Sequence, residues 1–316
     1  MPPTPSRLLR EQEQEQAARD AGRQANEAKY TEFKMGCDAG AAHACTSLGE
    51  WWGAMRGDYA KAAELYTDAC LEKRHPQACL NLGLILGACG RVWRACRGCA
   101  ARARLGENPS SYASYIHPPL LPCAAASGRP GVPPSKAQAL EVLAVGCSAG
   151  NADACSEAGK LALRGASKAG AEPATAPAAA AAVARADALF AAGCSVPEGT
   201  ASNARCCGLR AALHLSPLLA PHLPPAARAA QAEGGGQLQR WLELGCAGEH
   251  GASCLALAAA YRGTVGSGAP GAPALRLPPC PRTAFALEVK GLQWMGMTPT
   301  AAARAVEKKH GPPPAA

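Results

Sequence analysis

A bulky apolar residue recurs at a fixed place along the chain, four positions before a cysteine, and a small residue directly precedes that cysteine. After a second cysteine, an apolar or small residue follows three positions on. Residues three and four apart share one face of a helix, so this pattern predicts a helix on each side of the two cysteines. The apolar positions are Phe33, Tyr66, Leu143, Phe190 and Leu242 before the pairs, and Leu48, Leu82, Ala158, Leu209 and Leu257 after them.

The cysteines that separate these helices are regularly spaced. In four pairs the two cysteines are eight or nine positions apart, and in a looser fifth pair they are twelve apart. Near-constant spacing indicates an internal repeat. For the fifth pair, Leu209 stands three positions after Cys206, which favours Cys206 over Cys207. The pairs are Cys37 with Cys45, Cys70 with Cys79, Cys147 with Cys155, Cys194 with Cys206, and Cys246 with Cys254.

The offsets place the first cysteine in the last turn of one helix and the second in the first turn of the next. Two antiparallel helices would bring such cysteines within disulfide reach. The alternatives are that the cysteines are small buried apolar residues, or that they bind a metal. Zinc is disfavoured because no pair has a partner pair at zinc-knuckle spacing. The expected fold is all-α, an α/α solenoid of about five disulfide-stabilised repeats, each burying a thin, Ala-rich face.

The segment over residues 37–83 carries the pattern A-C-x7-A-C-x-x-L-G around K-A-A-x-L-Y. It resembles the Sel-1-like repeat, and the paired cysteines are similar to those of the cysteine-rich branch of that family. This branch includes bacterial Hcp-type proteins, described as penicillin-binding or β-lactamase-like, and eukaryotic assembly factors of cytochrome c oxidase. The resemblance implies a right-handed superhelix of five repeats.

Three features favour the eukaryotic group. The first repeat has a short loop at 55–59, the chain starts without an apolar secretory segment, and the helix at 284–296 has no cysteine, as a terminal repeat would. The resemblance then implies residence in the mitochondrial intermembrane space and a role in building cytochrome c oxidase with protein partners. It also implies haem as a candidate ligand, although the fold requires no cofactor. A cytosolic adaptor with reduced cysteines is an alternative.

Composition divides the chain into repeats, tails and inserts. Segments rich in Pro, Gly and Ala are expected to be disordered loops. Residues 11–29, which mix both charges, are expected to form an exposed helix. We therefore expect a tail or exposed helix at 1–25, a solenoid at 26–300 with inserts at about 90–134, 165–182, 216–235 and 264–282, and a tail at 301–316.

The net charge of +8 does not indicate a nucleic-acid partner, because residues 90–134 alone contribute +5. A solvated loop explains that charge. No apolar run reaches the roughly 18–20 residues that a membrane span needs. Cys96 and Cys99 form C-x-x-C, but the segment lacks a redox fold, and residue 100 is Ala rather than the His of a haem-attachment motif. Cys89, Cys96, Cys99, Cys123, Cys207 and Cys280 receive no partner.

Catalytic motifs are not found. No serine has Lys three positions on, as a serine β-lactamase needs, and the histidines do not cluster as metal ligands would. His43, His75 and His250 recur inside the cysteine turns, which we interpret as turn-surface chemistry. We expect a non-enzymatic protein-binding scaffold, with an Hcp-type hydrolase as the alternative. An exposed aromatic would anchor a partner, and the candidates are Trp51, Trp52, Tyr59 and Tyr261.

Overall fold

The computed structural model describes residues 5–87, 135–169, 176–196, 201–216, 218–232, 236–263, 275 and 277–312. Every regular element in these residues is helical, so the all-α expectation is confirmed. The chain divides into two compact units, Met1–Pro134 and Ser135–Ala316. Residues 26–300, over which a solenoid is expected, therefore fall in both units.

In unit 1 a long first helix leads into three shorter ones. The expected helix at 11–29 and residues 5–25 of the expected tail are parts of this first helix, whose side chains are mostly exposed from residue 14 to residue 29. Each helix packs on the next in the chain. The elements are α1 (Pro5–Asp38), α2 (Ala42–Trp51) continued by a π-helical turn (Trp52–Arg56), α3 (Tyr59–Thr67) continued by a π-helical turn (Asp68–Glu72), and α4 (Pro76–Gly87).

Unit 2 contains nine helices in its described residues. Successive helices pack on each other, except that α8 packs on α10 rather than on the short α9 between them. The elements are α5 (Lys136–Ser148), α6 (Ala152–Ala169), α7 (Ala176–Cys194), α8 (Ala201–Leu215), a 3-10 turn (Ala220–His222), α9 (Pro225–Ala232), α10 (Gly236–Ala247), α11 (Gly251–Tyr261), α12 (Pro281–Trp294) and α13 (Pro299–His310).

Several segments expected to be loops or tails are helical. The prediction of a tail at 301–316 is wrong for residues 301–310, because they belong to α13, which buries Ala302 and Val306 and packs on α12. The insert at 165–182 includes parts of α6 and α7, and the insert at 216–235 includes α9 and the buried Leu223. Ala has the highest helix propensity, so Ala-rich composition indicated helix rather than loop. Residues 90–134 and most of 264–282 lie outside the described residues.

The same turn ends the first helix of several hairpins. Gly40 has φ +88°; its N–H donates to Cys37 O, and the next N–H donates to Gly36 O. These two bonds define a Schellman motif, which needs a residue in the left-handed region. The motif recurs at Gly150 and at Glu249. Between Cys70 and Cys79 the extra residue is accommodated by the π-helical turn that precedes the loop.

Small residues in the second helices allow the next hairpin to pack closely. A Cβ added to Gly49 would lie 2.6 Å from Tyr66 Cε1, and one added to Gly159 would lie 2.3 Å from Phe190 Cε1. Gly49 and Gly159 each stand four positions after a second cysteine, and Tyr66 and Phe190 each stand four positions before the next first cysteine. The repeated offsets therefore mark one contact, in which an aromatic ring lies directly on a glycine.

We expect Gly49→Ala to lower the free energy of unfolding of unit 1 by about 2 kcal/mol, because the added methyl group would overlap the buried Tyr66 ring. Gly22→Ala is the matched control, since a Cβ at Gly22 meets nothing within 4 Å. That control is expected to be neutral or stabilising by about 0.5–1 kcal/mol. Urea denaturation followed by circular dichroism measures both. Equal effects of the two variants would contradict the proposed close contact.

Candidate functional site

Five disulfides close helical turns in the described residues, and they are the main chemical feature of both units. Four of them are the pairs that the spacing predicts. In these pairs the first cysteine lies at the end of one helix and the second lies in the first turn of the next. The bonds are Cys37–Cys45, Cys70–Cys79, Cys147–Cys155, Cys194–Cys207 and Cys246–Cys254.

The fifth disulfide corrects the expected pairing. Cys194 bonds Cys207, and Cys206 is a buried free thiol. Cys206 stands directly before the second cysteine. The residue at that position faces the small residue that precedes the first cysteine. A Cβ on Gly193 would lie 2.5 Å from Cys206 Sγ, just as one on Gly36 would lie 2.7 Å from Ala44 Cβ. The equivalent buried residues are Ala44, Ala78, Ala154 and Ser253.

A sequence signal for the correct pairing existed. Ala211 stands four positions after Cys207 and is fully buried, as the small residue at that offset is in other repeats. If Cys206 were the bonded residue, Arg210 would take that position and Arg205 would have to lie against Gly193. Leu209 was misleading, because it is only half-buried. The correct separation is thirteen positions rather than twelve.

The Cys206 thiol is held in a polar niche on α6. Its Sγ donates to Ala152 O at 3.0 Å, and the nearby Ser156 N–H favours the thiolate form slightly. Burial, with the nearby Asp153 carboxylate, raises the pKa of Cys206 to about 12. The thiol is therefore almost entirely protonated at neutral pH.

Cys280 is the other free cysteine in the described part of the chain, and it is half-exposed at the start of α12. The Thr283 hydroxyl lies 3.0 Å from its sulfur and, with backbone N–H groups, lowers the pKa of Cys280. Cys207 is now accounted for by its bond to Cys194. Cys89, Cys96, Cys99 and Cys123 lie outside the described residues.

A buried ion-pair network joins three helices of unit 2. Asp187 on α7 accepts from Arg210 Nε at 2.9 Å and lies 2.8 Å from His214 Nε2, both on α8. The Arg210 guanidinium lies 4.2 Å from the ring centroid of Trp241 on α10, a cation–π distance. Burial alone would raise the pKa of Asp187, but the hydrogen bonds from His214 and Arg210 outweigh it and lower that pKa.

Sequence reasoning missed this network. Arg210 and His214 are four apart and share a face of α8, which was a visible signal. Asp187 is 23 positions away from Arg210, so only the packing of α7 on α8 brings the carboxylate to them. The network fixes the two helices in one register, because leaving any of these charges unpaired inside the unit would be costly.

A second network holds the last hairpin together. Glu288 on α12 binds Arg262 Nη2 at 2.7 Å, Lys309 Nζ at 3.1 Å and His310 Nε2 at 3.2 Å. Burial opposes ionisation of this carboxyl, but the three donors lower its pKa. The network ties α13 to α12, which explains why the C-terminal segment is an ordered helix.

The turn histidines do not occupy one repeated position. His75 and His250 directly precede α4 and α11, where their Nδ1 atoms lie 3.0 Å from Thr46 Oγ1 and 2.7 Å from Ser253 Oγ. His43 lies within α2 and is exposed. Burial, followed by a nearby positive or titratable group, lowers the pKa of His75 and of His250. These residues act locally in the turns, and their geometry singles out no axial ligand for haem.

The aromatic candidates fall into two environments. Tyr59 is buried, whereas Trp51 and Trp52 are half-buried beside Tyr30, a residue that the sequence analysis did not single out. The Tyr30 ring centroid lies 4.7 Å from that of Trp51, and Arg56 lies over the Trp51 ring at 5.4 Å. These rings mainly join α1 to α2. Tyr261 is half-buried.

Among the described residues, three exposed large apolar side chains lie close together in sequence at the turn between α12 and α13. Trp294, Met295 and Met297 are 44%, 62% and 37% exposed, within four consecutive positions. We call these three residues the apolar turn. A Cβ on Gly251 would lie 3.0 Å from Met295 Cγ, so the apolar turn lies beside the start of α11. Gly296 has φ +97° and gives this turn the same Schellman bonds as the cysteine turns, without a disulfide.

The described residues give no support for a metal site or a membrane span. No group of three or more His, Cys, Asp and Glu side chains there is arranged to hold a metal ion. None of the helices described combines the length and hydropathy needed to cross a bilayer. Comparisons with protein-family models and with curated proteins find no match to this chain.

We expect Cys207→Ala to remove one disulfide and destabilise unit 2 by about 3 kcal/mol, the value for closing a loop of this length. Cys206→Ala is the control: it should keep every disulfide, because Ala already occupies the equivalent position in other repeats. Non-reducing peptide mapping and thermal melting measure both variants. A loss of the Cys194 bond in Cys206→Ala would contradict the assigned pairing.

We expect Asp187→Asn to destabilise unit 2 by about 3 kcal/mol at pH 7, because it leaves Arg210 without its buried partner. The Asp187 pKa is lower in the folded state, so its contribution is complete above the unfolded pKa of about 3.9 and is lost as pH falls through the folded value. The difference between wild type and variant should therefore shrink below about pH 4. Denaturation at several pH values measures this difference. Glu243→Gln is the control, because Glu243 is exposed and its replacement should change stability little at any pH.

Proposed function

We propose that this protein is a non-enzymatic helical scaffold that binds another protein in an oxidising compartment. The observation that carries the proposal is that five disulfides each close the turn of a helical hairpin. Disulfides persist where the surroundings are oxidising and are rare where glutathione keeps thiols reduced. Each bond fixes two antiparallel helices, so the surface that they carry is rigid before a partner arrives.

Rigidity favours binding because less conformational entropy is lost on association. The apolar turn supplies suitable anchor residues, since Trp is enriched among residues that dominate binding energy and Met adapts to irregular surfaces. Its neighbouring turns carry Gly, Ala and polar residues instead. We therefore place the partner at the apolar turn rather than at Trp51 or Trp52, which pack within unit 1.

The compartment and the partner come from the resemblance to Sel-1-like repeats. The proposal in full is a five-repeat superhelix in the mitochondrial intermembrane space that supports assembly of cytochrome c oxidase. The paired cysteines around residues 37–83 favour the cysteine-rich branch of the family, and the short loop at 55–59 and the cysteine-free helix at 284–296 favour its eukaryotic group. Haem belongs to the same resemblance and has no part in the binding that we propose.

Trapping thiols inside living cells tests the compartment. Cells that make the protein are treated with an alkylating reagent before lysis, and non-reducing peptide mapping follows. We expect the ten bonded cysteines to escape alkylation. Alkylation of all ten would place the protein in a reducing compartment and would favour a cytosolic adaptor. The half-exposed Cys280 is an internal control for access of the reagent.

Deletion of the gene tests the role. We expect less assembled cytochrome c oxidase and lower oxidase activity, both restored by the wild-type chain. A normal amount of assembled cytochrome c oxidase in the deletion strain would contradict the proposal.

Complementation with surface variants tests the binding site. The triple variant Trp294→Ala, Met295→Ala and Met297→Ala should fail to restore oxidase activity while melting at the wild-type temperature. Leu218→Ala is the matched control, because it also removes an exposed apolar side chain from unit 2 and lies outside the apolar turn. Full complementation by the triple variant would exclude this turn as the anchor. If Leu218→Ala also failed to restore oxidase activity, a lower amount of folded protein rather than the apolar turn would explain both results.

A further inference from the structure

Three buried cysteines share one small core cluster in unit 2. Cys147, Cys155 and Cys206 pack together with Ala152, and the half-buried Leu189, Val196 and Cys194 surround them. Two of these sulfurs form a disulfide and the third is a thiol. A thiol beside a disulfide has the components for thiol–disulfide exchange.

The Cys206 sulfur is positioned directly against the turn of α6 that carries Cys155. It donates to Ala152 O at 3.0 Å, and Ala152 lies three positions before Cys155 on the same turn of α6. A methyl group added to Gly193 would lie 2.5 Å from Cys206 Sγ and 2.8 Å from Cys155 Cβ. The thiol and the disulfide are therefore close neighbours in the folded chain.

We propose that Cys206 is an internal nucleophile for the Cys147–Cys155 disulfide, and that unit 2 interconverts between two bonding patterns. The Cys206 thiol loses its proton to water or hydroxide, and the thiolate attacks Cys155 Sγ. The new bond is Cys155–Cys206; the bond to Cys147 breaks, its electron pair stays on Cys147 Sγ, and that sulfur takes up a proton. The numbers of disulfides and of thiols do not change, so no oxidant or reductant is needed.

The exchange would move a cross-link. Cys147–Cys155 joins α5 to α6 within one hairpin. A Cys155–Cys206 bond would instead join α6 to α8, two helices that already pack on each other. The disulfide would then no longer fix α5 to α6 within their hairpin and would fix that hairpin to the next one. Cys147 would become the free thiol at the end of α5. The inference needs the oxidised state of the chain but not the proposed partner.

Burial limits the rate of the exchange. The high pKa of Cys206 leaves a very small thiolate fraction at neutral pH, and the thiolate is the attacking species. Below that pKa the thiolate fraction rises tenfold for each pH unit, so the exchange rate should follow. The Ser156 N–H lies where it would stabilise the thiolate once it forms.

The experiment uses the full chain with its disulfides intact and no added thiol. Samples are incubated between pH 7 and pH 9, quenched in acid and denatured. Free thiols are blocked with N-ethylmaleimide, and disulfides are then reduced and labelled with iodoacetamide. Trypsin releases residues 137–160, which contain both Cys147 and Cys155, and residues 206–210, which contain Cys206 and Cys207. Tandem mass spectrometry assigns each label.

We expect N-ethylmaleimide to move from Cys206 to Cys147 with time, about tenfold faster for each pH unit. Cys206→Ala is the matched variant, since Ala occupies the equivalent position in α2, α4 and α6. It should show no maleimide on Cys147. Cys280→Ala should behave as wild type, which excludes the other described thiol as the attacking group. A Cys147 label that stays at the level of Cys206→Ala would overturn the proposal. So would a label on Cys207, because Cys206 would then be attacking the Cys194–Cys207 bond.

Discussion

Each disulfide-bonded hairpin depends on the contact between the small residue before its first cysteine and the buried residue before its second. At Gly36, Gly193 and Gly245 a Cβ would lie within 2.7 Å of the facing side chain. Only this close approach brings the two cysteine Cα atoms to 4.5–4.8 Å, the short end of the disulfide range. The disulfide then holds a crossing that the small residues first made possible, and the Schellman turn supplies the reversal of the chain.

The same contact explains the chemistry of Cys206. A residue at its position must be small and lie against a glycine, so the thiol is forced into the core beside a neighbouring disulfide. The structure therefore places a nucleophile next to a bond that it can attack, while burial holds the pKa of that nucleophile far above neutral. Stability and reactivity are linked here because one packing requirement determines both.

Outside the cysteine turns, two carboxylates join neighbouring helices through ion pairs and hydrogen bonds. Asp187 binds Arg210 and His214, and Glu288 binds Arg262, Lys309 and His310. The second network lies in the last hairpin, whose turn has no disulfide and exposes apolar side chains instead. The last described hairpin of unit 2 thus combines an ion-pair network centred on Glu288 with the exposed apolar turn, where we propose that the partner binds.

The sequence by itself determined the helical hairpins and four of the disulfides, because the offsets between cysteines, apolar residues and small residues are local and repeat along the chain. It did not determine the partner of Cys194, since two adjacent cysteines fit the local spacing and only packing against Gly193 separates them. Helix α13 was missed because its burial depends on Glu288 and on α12. The Asp187 network was missed for the same reason: its residues are distant in sequence, and only the packing of α7, α8 and α10 brings their charges and the Trp241 ring together.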